Sequence, residues 1–336
     1  MNPKTPKILA FTMIIVALIL TACGNVASPT PTKAPAEPVS ATGSTKIPLS
    51  GTIAISGAFA LYPMMTRWAE EYQKINPKVQ FDISAGGAGK GMTDAIAGAV
   101  DIGMVSRSIK DAETAQGAYG VAVTKDAVFP VVNAKNPVLA DILAMGITKE
   151  TFTKIFITGE IKTWGQVVGK PEITDEVHVF TRSDSAGAAE MWAAYLGNKL
   201  QEDLLGLGVN ADPGILEAVV KDPLGIGYNN LGYAFDLASG NPVSGVVIAP
   251  IDLNGDGKAD DTERLETMNK AIDAVANGKY PSPPARLLNV VTKGKPTGLL
   301  QDFIQWILTD GQTFVGEAGF VQLTPDQLNE SLSKVK

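Results

Sequence analysis

Residues 51–113 read GTIAISGAFALYPMMTRWAEEYQKINPKVQFDISAGGAGKGMTDAIAGAVDIGMVSRSIKDAE. Thr52–Ser56 is a short apolar strand pattern. Leu61, Met64, Met65, Trp68 and Tyr72 then recur at helical spacing, one amphipathic face. Val79–Ile83 is the next strand, Gly91–Ala97 a helix, and Asp101–Val105 a strand again. Strand–helix alternation of this kind predicts an α/β fold in which helices pack on mostly parallel sheets. Downstream the same pattern continues. Strands are expected at Val121–Val123, Val131–Asn133, Val177–Thr181, Gly225–Asn229, Val246–Ala249 and Leu287–Val291. Helices are expected at Lys149–Ile157, Ala186–Leu196, Ile215–Val220, Leu265–Ala276 and Gly298–Leu308.

Upstream the pattern stops. Lys4 and Lys7 precede an apolar run, Ile8–Leu20, that is too short to span a ~30 Å hydrocarbon core but fits a signal peptide. The only cysteine follows in Leu20-Thr21-Ala22-Cys23-Gly24. This resembles the bacterial lipobox, so residues 1–22 are expected to be a lipoprotein signal peptide and Cys23 the lipidated first residue. Two acyl chains on one residue supply the two signals that stable anchoring needs. Residues 23–46, rich in Pro, Ala and Thr, lack apolar periodicity and read as a disordered linker. At ~3.1 Å per residue the linker reaches about 70 Å. The expected address is extracytoplasmic, held at the cell membrane by lipid alone.

Composition narrows the chemistry. The 336 residues hold 28 Lys+Arg against 35 Asp+Glu, so no basic surplus exists to displace phosphate counterions and no nucleic-acid partner is expected. One Cys excludes an internal disulfide and a Cys-based zinc site, and one His excludes a two-His mechanism. His178 lies in a strand and Ser185 is not in a G-x-S-x-G elbow, so no enzyme is expected.

Three loops of small residues stand between strand and helix: Ser56–Leu61, Ser84–Gly91 and Arg182–Ala188. Small residues let a ligand approach backbone N–H groups at a helix N-terminus, where the dipole favours an anion. The second loop lacks the Gly-Lys-Ser/Thr ending of a P-loop. The blocks GAFALYPMMTRWAEEYQKINP, SAGGAGKGMTDAIAGAVDIGMVSRSIKDAE, TFTKIFITGEIKTWGQVVG, VHVFTRSDSAGAAEMWAAYLG and GIGYNNLGYAF, in this order, resemble phosphate-binding subunits of ABC phosphate importers.

The resemblance runs from about Gly51 to the C-terminus. It implies a type II periplasmic-binding-protein fold, two α/β lobes joined by a hinge of crossing strands. The division expected is 47–127 with 247–336 for the first lobe and 128–246 for the second. It implies an anion held by neutral donors plus one arginine: Arg182, oriented by Asp184, with the Gly187 N–H and Ser106. The partners implied are phosphate or a related oxyanion and an ABC permease in the membrane; a monomer is expected. Arg107 stands where some members carry an Asp that accepts the phosphate proton, which should weaken selection against an ionised anion such as sulfate. Ala58 or Ala60, Ala88, Ala186 and Ala188 stand where the family usually has Ser or Thr. Each lost charge-assisted bond removes roughly 1.5–3 kcal/mol. Two readings therefore stand side by side: phosphate with replacement donors such as Ser56, Ser84, Lys90, Ser183, Ser185, Asn230 or water, or a less polar cleft for another oxyanion such as a phosphonate or sulfate. Phe59 suits an apolar wall of that cleft and equally a core. A sensor or calcium-dependent surface lipoprotein on the same fold is the alternative class.

Asp252-Leu-Asn254-Gly-Asp256-Gly257-Lys258-Ala-Asp260-Asp261-Thr-Glu263 has oxygen ligands at loop positions 1, 3, 5, 9 and 12, a backbone carbonyl available at 7 (Lys258) and Gly at 6. That is EF-hand spacing, and four carboxylates so close repel without a cation. A structural Ca²⁺ in loop 252–263 is expected.

Overall fold

Helices flank a central sheet that is mixed. A computed structural model describes residues 49–336, so the expectations for the signal peptide, Cys23 and the linker lie outside the described residues. The strands are β1 (Gly51–Gly57), β2 (Val79–Ala85), β3 (Ile102–Val105), β4 (Ala118–Asn133), β5 (Ile147–Thr148), β6 (His178–Arg182), β7 (Leu207–Val209), β8 (Gly225–Asn230), β9 (Val246–Ile248), β10 (Ile251–Asp252) and β11 (Ala285–Lys293). The main sheet runs β2-β1-β3-β11-β4-β8-β6-β7, with β9 beside β4. β1 pairs in parallel with β2 and β3, as β6 does with β7 and β8. β11 is antiparallel to β3 and β4, and β4 is antiparallel to β8 and β9. The expected parallel sheets with crossing strands take this form: two parallel groups are joined through the antiparallel strands β4 and β11.

β4 carries that junction. It is one strand of 16 residues where the sequence pattern suggests two short ones. Its first part, to Ala127, pairs with β11, and Val128–Val132 pairs with β8. Lys125 and Asp126 interrupt the apolar pattern at the handover, and the strand continues because Asp126 is buried opposite Arg286.

Two apolar cores lie on either side of this handover. The first gathers β1, the helix Tyr62–Ile75, the start of β4, Leu288 and Val290 of β11 and the helix Gly298–Ile307. Trp68 Nε1 donates to the Gly311 carbonyl at 2.8 Å and Tyr72 Oη to Asp302 at 2.7 Å, so the polar ends of these buried rings are satisfied. The second core gathers the end of β4 with Phe156, Trp164, Trp192 and Tyr228. Residues 246–285 pack here as well, not with the first group as the expected boundary at 247 has it. Ile248, Ile251, Leu265 and Met268 are buried in this core, and Tyr280 Oη donates to the Val128 carbonyl at 2.7 Å. The chain returns to the first core only along β11. The described residues, 49–336, make one compact unit.

Helices expected at Ala186–Leu196, Ile215–Val220, Leu265–Ala276 and Gly298–Leu308 lie at Gly187–Tyr195, Ala211–Lys221, Met268–Ala276 and Gly298–Ile307. The one expected at Lys149–Ile157 is α-helical to Thr153 and continues as a π-helical turn, Lys154–Thr158.

Candidate functional site

The three small-residue loops lie at the carboxyl ends of β1, β2 and β6, where open α/β sheets bind ligands. Gly91 lets the helix Ala88–Ala97 lie flush on the sheet: a Cβ there would stand 2.5 Å from the Met104 carbonyl oxygen and 2.8 Å from the Gly57 Cα. The N-terminus of this helix thereby meets the loop before the helix Gly187–Tyr195. Gly89 N–H donates to the Ser185 carbonyl at 3.3 Å. Gly187 lies against Ser106, whose Oγ would be 2.3 Å from an added Cβ. Two helix N-termini, one from each parallel group of strands, thus converge with first-turn N–H groups that have no intrahelical acceptor. Both favour negative charge.

Arg182 stands at this junction, 5% exposed, at the end of β6. Its Nε donates to Asp184 Oδ1 at 2.7 Å, Nη2 to Asp184 Oδ2 at 2.5 Å and Nη1 to Asp212 Oδ2 at 2.7 Å. Its guanidinium lies over the Phe59 ring, 5.4 Å from the centroid. Phe59 therefore forms a wall on the arginine, and Tyr233 Oη donates to the Phe59 carbonyl at 3.3 Å across the same junction. Burial opposes the charge of Arg182, yet Asp212 and Asp184 more than offset it and hold its pKa above the ordinary arginine value. Burial also works against the Asp184 carboxylate, and Arg182 overcomes it and lowers that pKa. For Asp212 burial prevails over Arg182 and Arg286, and the pKa is raised.

The network continues inward. Asn230 Nδ2 donates to Asp212, and Arg286 Nη2 donates to Asn230 Oδ1 and, at 3.2 Å, to Asp126 Oδ2. Asp126 also accepts from the Leu231 N–H at 3.1 Å. Burial pushes the Asp126 carboxyl up to about 6. A chain of buried polar groups thus links Arg182 to the point where β4 changes partners.

The other expected site residues have distinct fates. Ala58, Ala60, Ala88, Ala186 and Ala188 are all buried in their loops and supply no hydroxyl. Ala58 N–H is committed to the Met104 carbonyl and Ala186 N–H to Gln201 Oε1, both at 2.9 Å. The Gly187 and Ala188 N–H groups stand in the first helical turn. Of the replacement donors, Ser56 donates to Asp94 at 2.6 Å, Lys90 pairs with that same Asp94, and Asn230 belongs to the inner network. Arg107 holds Glu113 through both terminal nitrogens, at 2.9 and 2.6 Å, and its Nε meets Glu190 at 2.9 Å. Its charge is spent on these carboxylates. Glu190 lies on the helix Gly187–Tyr195, so this pair ties the two sides of the junction together.

Sequence reasoning did not find Asp212, Asp126, Arg286, Glu190 or Gln201. Asp126 had a signal, a charge inside an otherwise apolar strand. Asp212 and Glu190 sit in helices and Gln201 in a short turn, where polar residues are ordinary, and Arg286 stands near the start of β11, where its partner Asp126 is distant in sequence.

In loop 252–263 the carboxylates face the loop's own amides. Asp252 accepts from Gly255 N–H at 2.6 Å and Gly257 N–H at 3.1 Å. Glu263 accepts from Leu253 N–H at 2.7 Å and Asp260 N–H at 2.9 Å. Asn254 and Asp256 each accept from the N–H two residues on, Asp256 and Lys258, at 2.9 Å. Gly255 and Gly257 take φ of 73° and 76°, and the loop is anchored where β10 pairs with β5. Asp252 and Glu263 are buried. Among the described residues no three His, Cys, Asp or Glu side chains gather into a metal cluster.

Residues 40–311 match the model of the PBP superfamily domain. The phosphate-binding protein PstS of Bacillus subtilis is 27% identical over 325 residues, covering 96% of this chain and 95% of that protein. PstS of Pseudomonas aeruginosa is 27% identical over 299 residues, covering 82% and 84%. Among solved structures, a putative phosphate ABC transporter substrate-binding protein with bound phosphate from Clostridium perfringens aligns with a TM-score of 0.66 at 23% identity, over 82% of this chain and all of that one. An ABC-type phosphate transport receptor from Vibrio cholerae aligns at 0.58 and 21%, over 81% and 100%. These likenesses establish the fold.

Proposed function

The chain belongs to the periplasmic-binding-protein (PBP) superfamily, and we propose that it is the phosphate-capturing, substrate-binding component of an ABC importer. It is a binding protein, not an enzyme, as its phosphate-binding relatives are. The observation that carries the reading is Arg182, a buried cation at the meeting point of two helix N-termini from opposite halves of the sheet. An anion there receives amide donors from both halves, so only the closed arrangement satisfies it, and its binding shifts the population toward closure. The halves are the lobes, and β4 with β11 is their hinge. The closed form is what a membrane permease reads.

The cage has few hydroxyls, so its selectivity rests on amides and Arg182. Phosphate is the first ligand; a phosphonate or sulfate is the second reading, favoured by an arginine instead of a carboxylate at position 107, so that the residue there cannot accept a phosphate proton; Arg107 is itself bound to Glu113 and Glu190. Calorimetry against phosphate, sulfate, molybdate and methylphosphonate decides. Phosphate binding well below about 100 µM supports the reading, and an absence of oxyanion binding overturns it.

Two accessory features belong to the same proposal. Lipidation of Cys23 anchors the protein outside the cytoplasmic membrane. Ca²⁺ is held by loop 252–263, where Asp252, Asn254, Asp256, Asp260, Glu263 and the Lys258 carbonyl form an all-oxygen set suited to a hard cation. Such an ion supplies structure near β10, no chemistry.

A further inference from the structure

Arg264 is a half-buried cation with no anion bound to it. It follows loop 252–263 directly, and among the described residues its guanidinium makes no hydrogen bond and no ion pair. Only its Nε is buried without an acceptor, so Nη1 and Nη2 are the donors that remain within reach from outside. The side chain lines a cavity of about 450 Å³, an ordinary small-molecule size on a scale of roughly 300–1,000 Å³.

This cavity shares no lining residue with the Arg182 junction. One wall is Leu143 and Ala144, at the end of the helix Leu139–Met145, and the others are Val247 and Ile248 of β9 and Leu265. Ala259 N–H donates to the Ala144 carbonyl at 2.9 Å, which ties the helix to loop 252–263 and fixes the spacing of the walls. Ile248 and Leu265 belong to the second core, so an apolar body seated here extends packing that the fold leaves open to water. Glu266 is the one carboxylate in the lining. It is exposed, held by Lys270 at 2.8 Å and beyond ion-pair distance of Arg264. A doubly charged ligand would be repelled by it more than a singly charged one.

We propose that this cavity binds a small amphipathic monocarboxylate, one carboxylate on a compact alkyl or aryl body, with Arg264 as its charged donor. Nη1 and Nη2 form a planar pair that matches the two carboxylate oxygens. The apolar body lies on Val247, Ile248 and Leu265. The site is separate from the anion site at Arg182 and independent of what that site binds.

The test is calorimetry of the full chain in lipid nanodiscs, against a blank of nanodiscs alone. Phenylpropionate is the probe and phenylpropionamide its neutral counterpart. One equivalent of the acid should bind with a Kd below about 1 mM, and the amide about tenfold more weakly or worse. Arg264→Gln should weaken the acid about tenfold or more. Ala144→Glu, at an exposed helical residue of the facing wall, should do the same by setting a carboxylate against the ligand's, with the melting temperature near that of the natural chain. Saturating inorganic phosphate should displace none of the probe. Binding no greater than to the blank, equal affinity for acid and amide, displacement by inorganic phosphate, or unchanged affinity in a folded Arg264→Gln or Ala144→Glu chain overturns the proposal. If neither variant folds, the difference between acid and amide in the natural chain decides.

Discussion

Gly187 is where the proposed closure on an anion would depend on a missing side chain. A Cβ there would stand 2.5 Å from the Ser106 carbonyl oxygen, closer than real contacts allow, and backbone must move to relieve it. In a helix alanine is otherwise the better residue by about 1 kcal/mol. Gly187→Ala should therefore keep or raise the melting temperature while weakening phosphate binding about 100-fold, roughly 2.7 kcal/mol, because only the closed state is penalised. Equal affinity in calorimetry removes Ser106 and Gly187 from the binding surface. The alanine positions argue the converse. Ala188 is buried in the first turn of the same helix, and Ala188→Ser would return a hydroxyl donor to the cage. A single added hydrogen bond to a charged ligand is worth roughly 1.5–3 kcal/mol, so affinity should rise about tenfold; an unchanged Kd means that this face of the turn does not meet the anion.

β4 is the element in which stability and the proposed hinge meet. Asp126, buried opposite Arg286, has its pKa raised from 3.8 to about 6. The folded chain thus holds this proton more tightly than the unfolded one. The contribution is fully present below about pH 4 and is lost as pH rises through 6, by no more than about 3 kcal/mol. Denaturant titrations between pH 4 and 7 should show this fall in the natural chain and not in Asp126→Asn; parallel profiles refute it. The same strand shows how much was legible beforehand. The β1–β3 half could be read closely, because its strands are apolar, its helices amphipathic and its turns glycine-rich, all local signals. Arg182 and Asp184 were legible through resemblance. β4 was not read as one strand, since Lys125 and Asp126 break its pattern and the partner that explains Asp126, Arg286, lies 160 residues away. Mixed pairing was hidden for the same reason: strand direction is a property of partners distant in sequence. Loop 252–263 is the opposite case, a pattern read wholly from local spacing. If calcium fills it, EDTA should lower the melting temperature by several degrees and added Ca²⁺ restore it. An unchanged transition removes the ion.

At the scale of the whole molecule the question is what holds the two halves together besides the ligand. Arg107, on the chain leaving β3, reaches Glu190 on the helix Gly187–Tyr195 at 2.9 Å, and Lys110 reaches the same Glu190 at 3.2 Å. The Arg107 side chain is 7% exposed, so the pair is shielded more than a surface bridge. Glu113 lies six residues from Arg107 on the same side of the junction, so it would keep the arginine paired if the bond to Glu190 broke. In the proposed importer component such a latch would lower the free energy of closure without touching the anion, and ligand affinity would rise with the closed population. A bond of this exposure contributes about 1 kcal/mol, so Glu190→Gln should raise the phosphate Kd about fivefold and increase the dissociation rate. Small-angle scattering of the chain without phosphate should show a larger radius of gyration for the variant, and saturating phosphate should bring both to one value. If Kd and scattering are the same for both chains, the junction is held by amide and glycine contacts alone, and closure rests wholly on the anion.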